Sequence, residues 1–162
     1  MDKLKEQPQQ VEYVKWSESY SMGIKQIDDQ HKGLLAIVND LFNHPTGNEA
    51  EEFAYFKGVI QKAVDYARDH FALEEKYMIA TKFPGYAEHR KAHEEFIVTV
   101  VKTVTDFEAG KRLYFTNFSH FLKDWVLSHI AVMDKQYGGY FRKIATRKAD
   151  GKLSITWADI SN

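Results

Sequence analysis

Five histidines and one glutamate recur where buried faces of helices are expected: His31, His70, Glu74, His89, His93 and His129. His70 with Glu74, and His89 with His93, stand four residues apart, which sets both side chains of a pair on one helical face about a turn apart. Any one of these histidines alone reads as a hydrogen-bonded core residue. Five imidazoles withdrawn from water together with carboxylates need a common partner, and a metal centre is the most economical one. The chain has no cysteine, so disulfides, iron–sulfur clusters, thiolate zinc sites and cysteine nucleophiles are excluded and the donors must be nitrogen and oxygen. Asp134 follows His129 by five residues, a step that turns it well away from the histidine on a regular α-helix, so spacing by itself does not nominate it.

The elements that must position these groups are legible from breaks and periodicity. Turn-like clusters at His44-Pro45-Thr46-Gly47-Asn48 and Lys82-Phe83-Pro84-Gly85, with further breaks at Ala109-Gly110-Lys111 and Gly138-Gly139, leave long stretches at about 28–43, 49–81, 86–108 and 114–137. Asp28, Asn48 and Thr116 or Asn117 are the expected N-caps, with Glu49, Glu51 and Glu52 favouring the second helix start. The apolar stripes read His31, Leu34 or Leu35, Val38, Leu41 or Phe42 in the first stretch and Phe53, Phe56, Ile60, Ala63, Ala67, His70, Glu74, Tyr77 in the second. The third reads His89, His93, Phe96, Val100, Val104, Phe107, and the fourth Phe118, Leu122, Trp125, His129, Val132 or Met133. Short connections predict an all-α, antiparallel, up-down-up-down four-helix bundle, and in that topology every singled-out histidine falls toward the same end.

The 162 residues predict one domain with its own core, organised as an N-terminal arm over 1–27, a bundle over 28–139 and a C-terminal extension over 140–162. A formal charge of −1 gives no field that would gather nucleic acid or an anionic membrane. No run of 18 apolar residues and no apolar leader occurs, so the expected location is the cytoplasm.

With these residues assembled, the chain closely resembles the hemerythrin family, in particular its single-domain bacterial members, over roughly residues 14–140. The resemblance rests on Trp16 and Tyr20 ahead of Gly23-Ile24, on Ile27-Asp28-Asp29-Gln30-His31-Lys32, and on His70-Phe71-Ala72-Leu73-Glu74-Glu75. It continues through Tyr86-Ala87-Glu88-His89 with His93, and Trp125-Val126-Leu127-Ser128-His129-Ile130 with Asp134. It implies two iron ions with an oxo or hydroxo bridge: His89, His93 and His129 on one iron, His31 and His70 on the other, Glu74 and Asp134 bridging. It also implies reversible dioxygen binding for storage, delivery or sensing rather than catalysis. The alternatives are a di-iron redox enzyme, whether peroxidase, oxidase or nitric oxide reductase, and a sensor of oxygen or iron acting through a partner. Phe71 and Trp125 are expected to keep the site dry, and Val126 stands beside the dioxygen pocket where many members carry a larger aliphatic. An electron donor or signalling partner is open, as is a monomer or a small homo-oligomer. Ferritin-type Glu-x-x-His pairs and a His-Glu-x-x-His zinc-peptidase motif are absent from the sequence.

The remaining polar groups have plainer readings. His44 and His120 are expected to face solvent, Glu75 to point away from the stripe without a role, and Tyr66, Tyr77 and Tyr137 to be core or boundary residues. Asn117-Phe118-Ser119 fits a glycosylation pattern that would need a secreted context. In the extension, Leu153, Ile155 and Trp157 alternate with polar residues and are expected to strap onto the bundle, a partner-docking peptide being the alternative.

Overall fold

The apolar stripes bury as helical faces in a computed structural model that describes residues 11–44, 49–109 and 115–149. A 3-10 turn, Glu18–Tyr20, precedes α1 (Lys25–Phe42), α2 (Glu49–Thr81), α3 (Tyr86–Glu108) and α4 (Phe115–Ser128). A π-helical segment, His129–Asp134, then leads into α5 (Lys135–Ala149). Ser128 and Lys135, at its two ends, both have helical backbone angles, so α4, the π segment and α5 form one rod. The described residues are all-helical, with α2 against α1 and α3, and α4 against α1, as an antiparallel four-helix bundle requires.

Three local expectations are corrected. Asp28 does not cap α1: the helix starts at Lys25, three residues earlier than expected, and its N-cap Ile24 makes no side-chain cap bond. Burial of Ile24 and Ile27 anchors that start, and Asp28, in the first turn, instead accepts hydrogen bonds from Ser21 Oγ at 2.6 Å and the Met22 N–H at 2.7 Å. Nor do Thr116 and Asn117 cap α4, which already begins at Phe115; the proposed cap Asn48 lies outside the described residues. Finally, Gly138-Gly139 does not break the fourth helix, which runs on to Ala149. A Cβ at Gly138 would sit 3.3 Å from both the Cβ and the carbonyl oxygen of Met22, so this glycine serves close approach of the arm. That packing outweighs a helix-interior penalty of about 1 kcal/mol.

The arm is fastened along its length. Asn39 in the last turn of α1 and Asn43 at its C-cap each grip both the N–H and the carbonyl of one arm residue, Val14 and Val11 respectively, at 2.7–2.9 Å. Lys135 and Arg142 donate to the carbonyls of Ser21 and Met22 at 2.9 and 2.7 Å. At the end of α2, Lys82 adopts a left-handed conformation with φ 53°, and Tyr140 Oη donates to the carbonyl oxygens of Thr81 and Lys82.

The core is divided in two. The larger part joins Leu34, Val38, Phe56, Ile60, Phe96, Leu122 and Val126 with their neighbours. The smaller gathers Met22, Ile24, Ile27, Tyr77, Met78, Tyr137 and Phe141. Each of its larger apolar side chains contributes about 1.5–3 kcal/mol on burial. Phe141 and Tyr137 come from α5, so the end of the bundle carrying the histidines is closed by a second core rather than left as a terminus. Residues 150–162, including the expected strap of Leu153, Ile155 and Trp157, lie outside the described residues.

Candidate metal centre

Four helical elements converge on one polar layer. α1 brings His31, α2 His70 and Glu74, α3 His89 and His93, and the π segment His129 and Asp134. All seven are buried, none more than 5% exposed.

The π segment explains Asp134. An α-helix places residues five apart well out of line, but a π turn closes on the i+5 residue, so His129 and Asp134 come to one face. Asp134 Oδ1 lies 3.1 Å from His89 Nε2 and 3.2 Å from His129 Nε2, while Oδ2 lies 3.0 Å from His31 Nε2. Glu74 is divided in the same way. Its Oε1 is 3.8 and 3.6 Å from the Nε2 atoms of His31 and His70, and its Oε2 is 3.6 and 3.3 Å from those of His89 and His93. Two donor groups result, Glu74 with His89, His93 and His129, and His31 with His70, Glu74 and Asp134; within each, the donor atoms lie within 4.8 Å of one another. Each carboxylate presents one oxygen to either group.

A metal fits this arrangement on three observations. His93 Nε2 and His89 Nε2 lie 3.0 and 3.1 Å from His129 Nε2. Donors about 3.0 Å apart are what bonds of roughly 2.1 Å at right angles produce. The Nδ1–H of His93 donates to Glu75 Oε1 at 3.1 Å and that of His70 to Gln30 Oε1 at 2.9 Å, so both rings turn an Nε2 lone pair inward. Lone pairs so close repel unless a cation or proton lies between them. All four oxygens of Glu74 and Asp134, and both nitrogens of His31, are buried without hydrogen-bond partners, a cost that coordination removes.

The electrostatics without metal follow from the same crowding. Burial would lower the pKa of His31 and of His89, but the carboxylates of Asp134 and Glu74 outweigh it and raise both to about 9. Burial dominates at His70 and lowers it to about 4. Burial opposes ionisation of Glu74 and Asp134, yet the surrounding imidazoles hold both carboxyls well below the usual range.

Aromatic rings wall the layer. Phe71 stacks on His93 at 3.8 Å and 8°, and Trp125 on His129 at 4.4 Å and 13°, while Val126 is buried in the larger core. Tyr77 and Tyr137 are fully buried; Tyr77 Oη donates to Gln26 Oε1 at 2.9 Å, and Tyr137 Oη has no hydrogen-bond partner. Tyr66 is half-buried, and His44 and His120 are exposed, resting on Tyr55 and Phe42. Val132, offered as a seam residue, is 54% exposed because the π turn shifts the register after His129.

Glu75 is the clearest correction at the site. It turns sideways from α2 toward α3 and holds His93. Gln30 also escaped nomination, although it precedes His31 in one of the quoted motifs. Both reach a histidine on another helix, 18 and 40 residues away, which no spacing along one helix reveals.

Known proteins with this architecture match closely. The family model described as hemerythrin HHE cation binding domain matches residues 22–141. The chain belongs to the hemerythrin family. It is 32% identical over 145 residues to a bacteriohemerythrin of Pseudomonas aeruginosa (strain LESB58), covering 90% of this chain and 92% of that protein. It is 29% identical over 124 residues to a myohemerythrin of Sipunculus nudus, covering 76% and 90% of the two chains. The crystal structure of a wild-type hemerythrin superposes with a TM-score of 0.70 at 27% identity, covering 78% of this chain and 96% of that one. The hemerythrin match spans all four elements that supply the polar layer. Among the described residues, no helix is long and apolar enough to cross a membrane.

Proposed function

We propose that this hemerythrin binds dioxygen reversibly at a non-haem di-iron centre. The observation that carries the reading is the pair of donor groups sharing split carboxylates. His89, His93 and His129 would hold one iron, His31 and His70 the other, and Glu74 and Asp134 would bridge. With one fewer imidazole, the group of His31 and His70 would leave room for an exogenous ligand. Nitrogen and carboxylate donors without thiolate suit iron in this role. Two iron ions held there would supply redox chemistry toward dioxygen.

The chain's own residues do the rest. Gln30 and Glu75 hold the tautomers of His70 and His93. Phe71 and Trp125 cover two of the rings and limit water. Binding rather than catalysis, a role in storage, delivery or sensing, and a cytoplasmic location belong to the same proposal.

The test is metal quantification followed by an optical spectrum of the anaerobically reduced protein before and after air. Two irons per chain, a visible charge-transfer band on aeration and its loss on removal of oxygen are expected. Immediate conversion to the oxidised form without that band would overturn reversible binding and favour a redox enzyme or an oxidation-triggered sensor.

A further inference from the structure

One histidine in each donor group is held by a side chain from another helix, and the two partners are chemically unequal. His93, in the group of three histidines, donates its Nδ1–H to the carboxylate of Glu75 at 3.1 Å. His70, in the group of two, donates its Nδ1–H to the side-chain amide oxygen of Gln30 at 2.9 Å. Either acceptor selects the same tautomer, so tautomer choice does not require a carboxylate. What differs is charge. An anionic acceptor makes an imidazole the stronger donor to its metal and places negative charge one ring away, and both effects favour the higher oxidation state. The Glu75 side chain is only 25% exposed, so solvent does not fully screen this charge. The neighbouring cation Arg90 pairs with Glu94 at 2.9 Å and also attracts Glu75, offsetting part of its charge without contacting it as an ion pair.

We infer that Glu75 and Gln30 are positioning residues that make the two metals electronically unequal. Glu75, through His93, enriches the metal held by three histidines. Gln30 keeps the metal held by two histidines comparatively electron-poor, so the metal with room for an exogenous ligand is the more readily kept reduced. The inference rests on the di-iron reading.

Glu75→Gln removes the charge and keeps an oxygen to accept the Nδ1–H; Gln30→Glu does the reverse at His70. The experiment quantifies iron in the wild type and both variants, then titrates each electrochemically with optical detection. Glu75→Gln is expected to raise the midpoint by at least a tenfold change in the oxidised-to-reduced ratio, about 59 mV for one electron. Gln30→Glu is expected to lower it comparably. A purely structural role would not move the potential in opposite directions. Midpoints within twofold of wild type in that ratio, at two irons per chain, would overturn the inference. If Glu75→Gln fails to load iron, Gln30→Glu decides by the same criterion. A wild-type chain that does not hold two irons would fail the di-iron reading and take the inference with it, whereas unshifted midpoints at full iron content fail the inference alone.

Discussion

Val126 carries a residue-scale test of the proposed function. It lies one turn before His129, is 1% exposed, and under the proposed function would stand beside the dioxygen pocket. Leucine adds one methylene to a packed region, a change that well-packed interiors register. Val126→Leu is therefore expected to slow autoxidation of the oxygenated protein, followed as decay of its visible band. Equal rates in the two proteins would remove Val126 from the control of access. Glu75 carries the complementary lesson. Its neighbour Glu74 fits the helical stripe and was legible as a site residue, whereas Glu75 acquires its role from α3, which meets it only after folding.

The π segment is the element on which the site turns. Asp134 reaches the polar layer because the helix takes one extra residue between His129 and Asp134. Removing the exposed Ala131 would leave histidine and aspartate four apart on a regular α-helix, still on one face. That deletion is expected to retain two metals per chain. Removing the exposed Asp124 from regular α4 instead rotates one part of the rod against the other by about 100° and is expected to abolish metal binding. Metal quantification of both variants checks this; equal loss would show that the widened turn itself is required. Gly138 belongs to the same rod, and its reading as a break failed because a glycine that ends a helix and one that admits a close neighbour look alike until Met22 is in place.

Across the whole molecule, the polar layer between two cores makes stability depend on metal and pH together. Without metal, the folded pKa values of His31 and His89, about 9, exceed the unfolded value near 6.5, so their favourable contribution is complete below about pH 6.5 and is lost as pH rises toward 9. His70, lowered to about 4, has the opposite sign: its protonation disfavours the fold as pH falls from about 6.5 toward 4. Metal requires unprotonated imidazoles and replaces those protons. The gap in melting temperature between iron-loaded and metal-free protein is therefore expected to widen from pH 6.5 to 9. Thermal denaturation of both forms across that range checks it, and a constant or narrowing gap would contradict the charge assignment.

Residue type and period determined the helical class, the approximate bounds of four helices and the five histidines with Glu74. Those features depend on contacts within one helix, where a repeat of 3.6 residues makes sequence distance a measure of direction. Asp134 came from resemblance to a family, because its direction depends on a local widening of the helix that no regular period encodes. Tertiary structure alone decided that Asp28 fastens the arm, that Gly138 admits Met22, that α5 closes the second core, and that Glu75 and Gln30 hold histidines on other helices. The Asp28 contact spans only six and seven residues but depends on how the arm turns into α1; the others join segments distant along the chain, whose partners exist only once packing has brought them together.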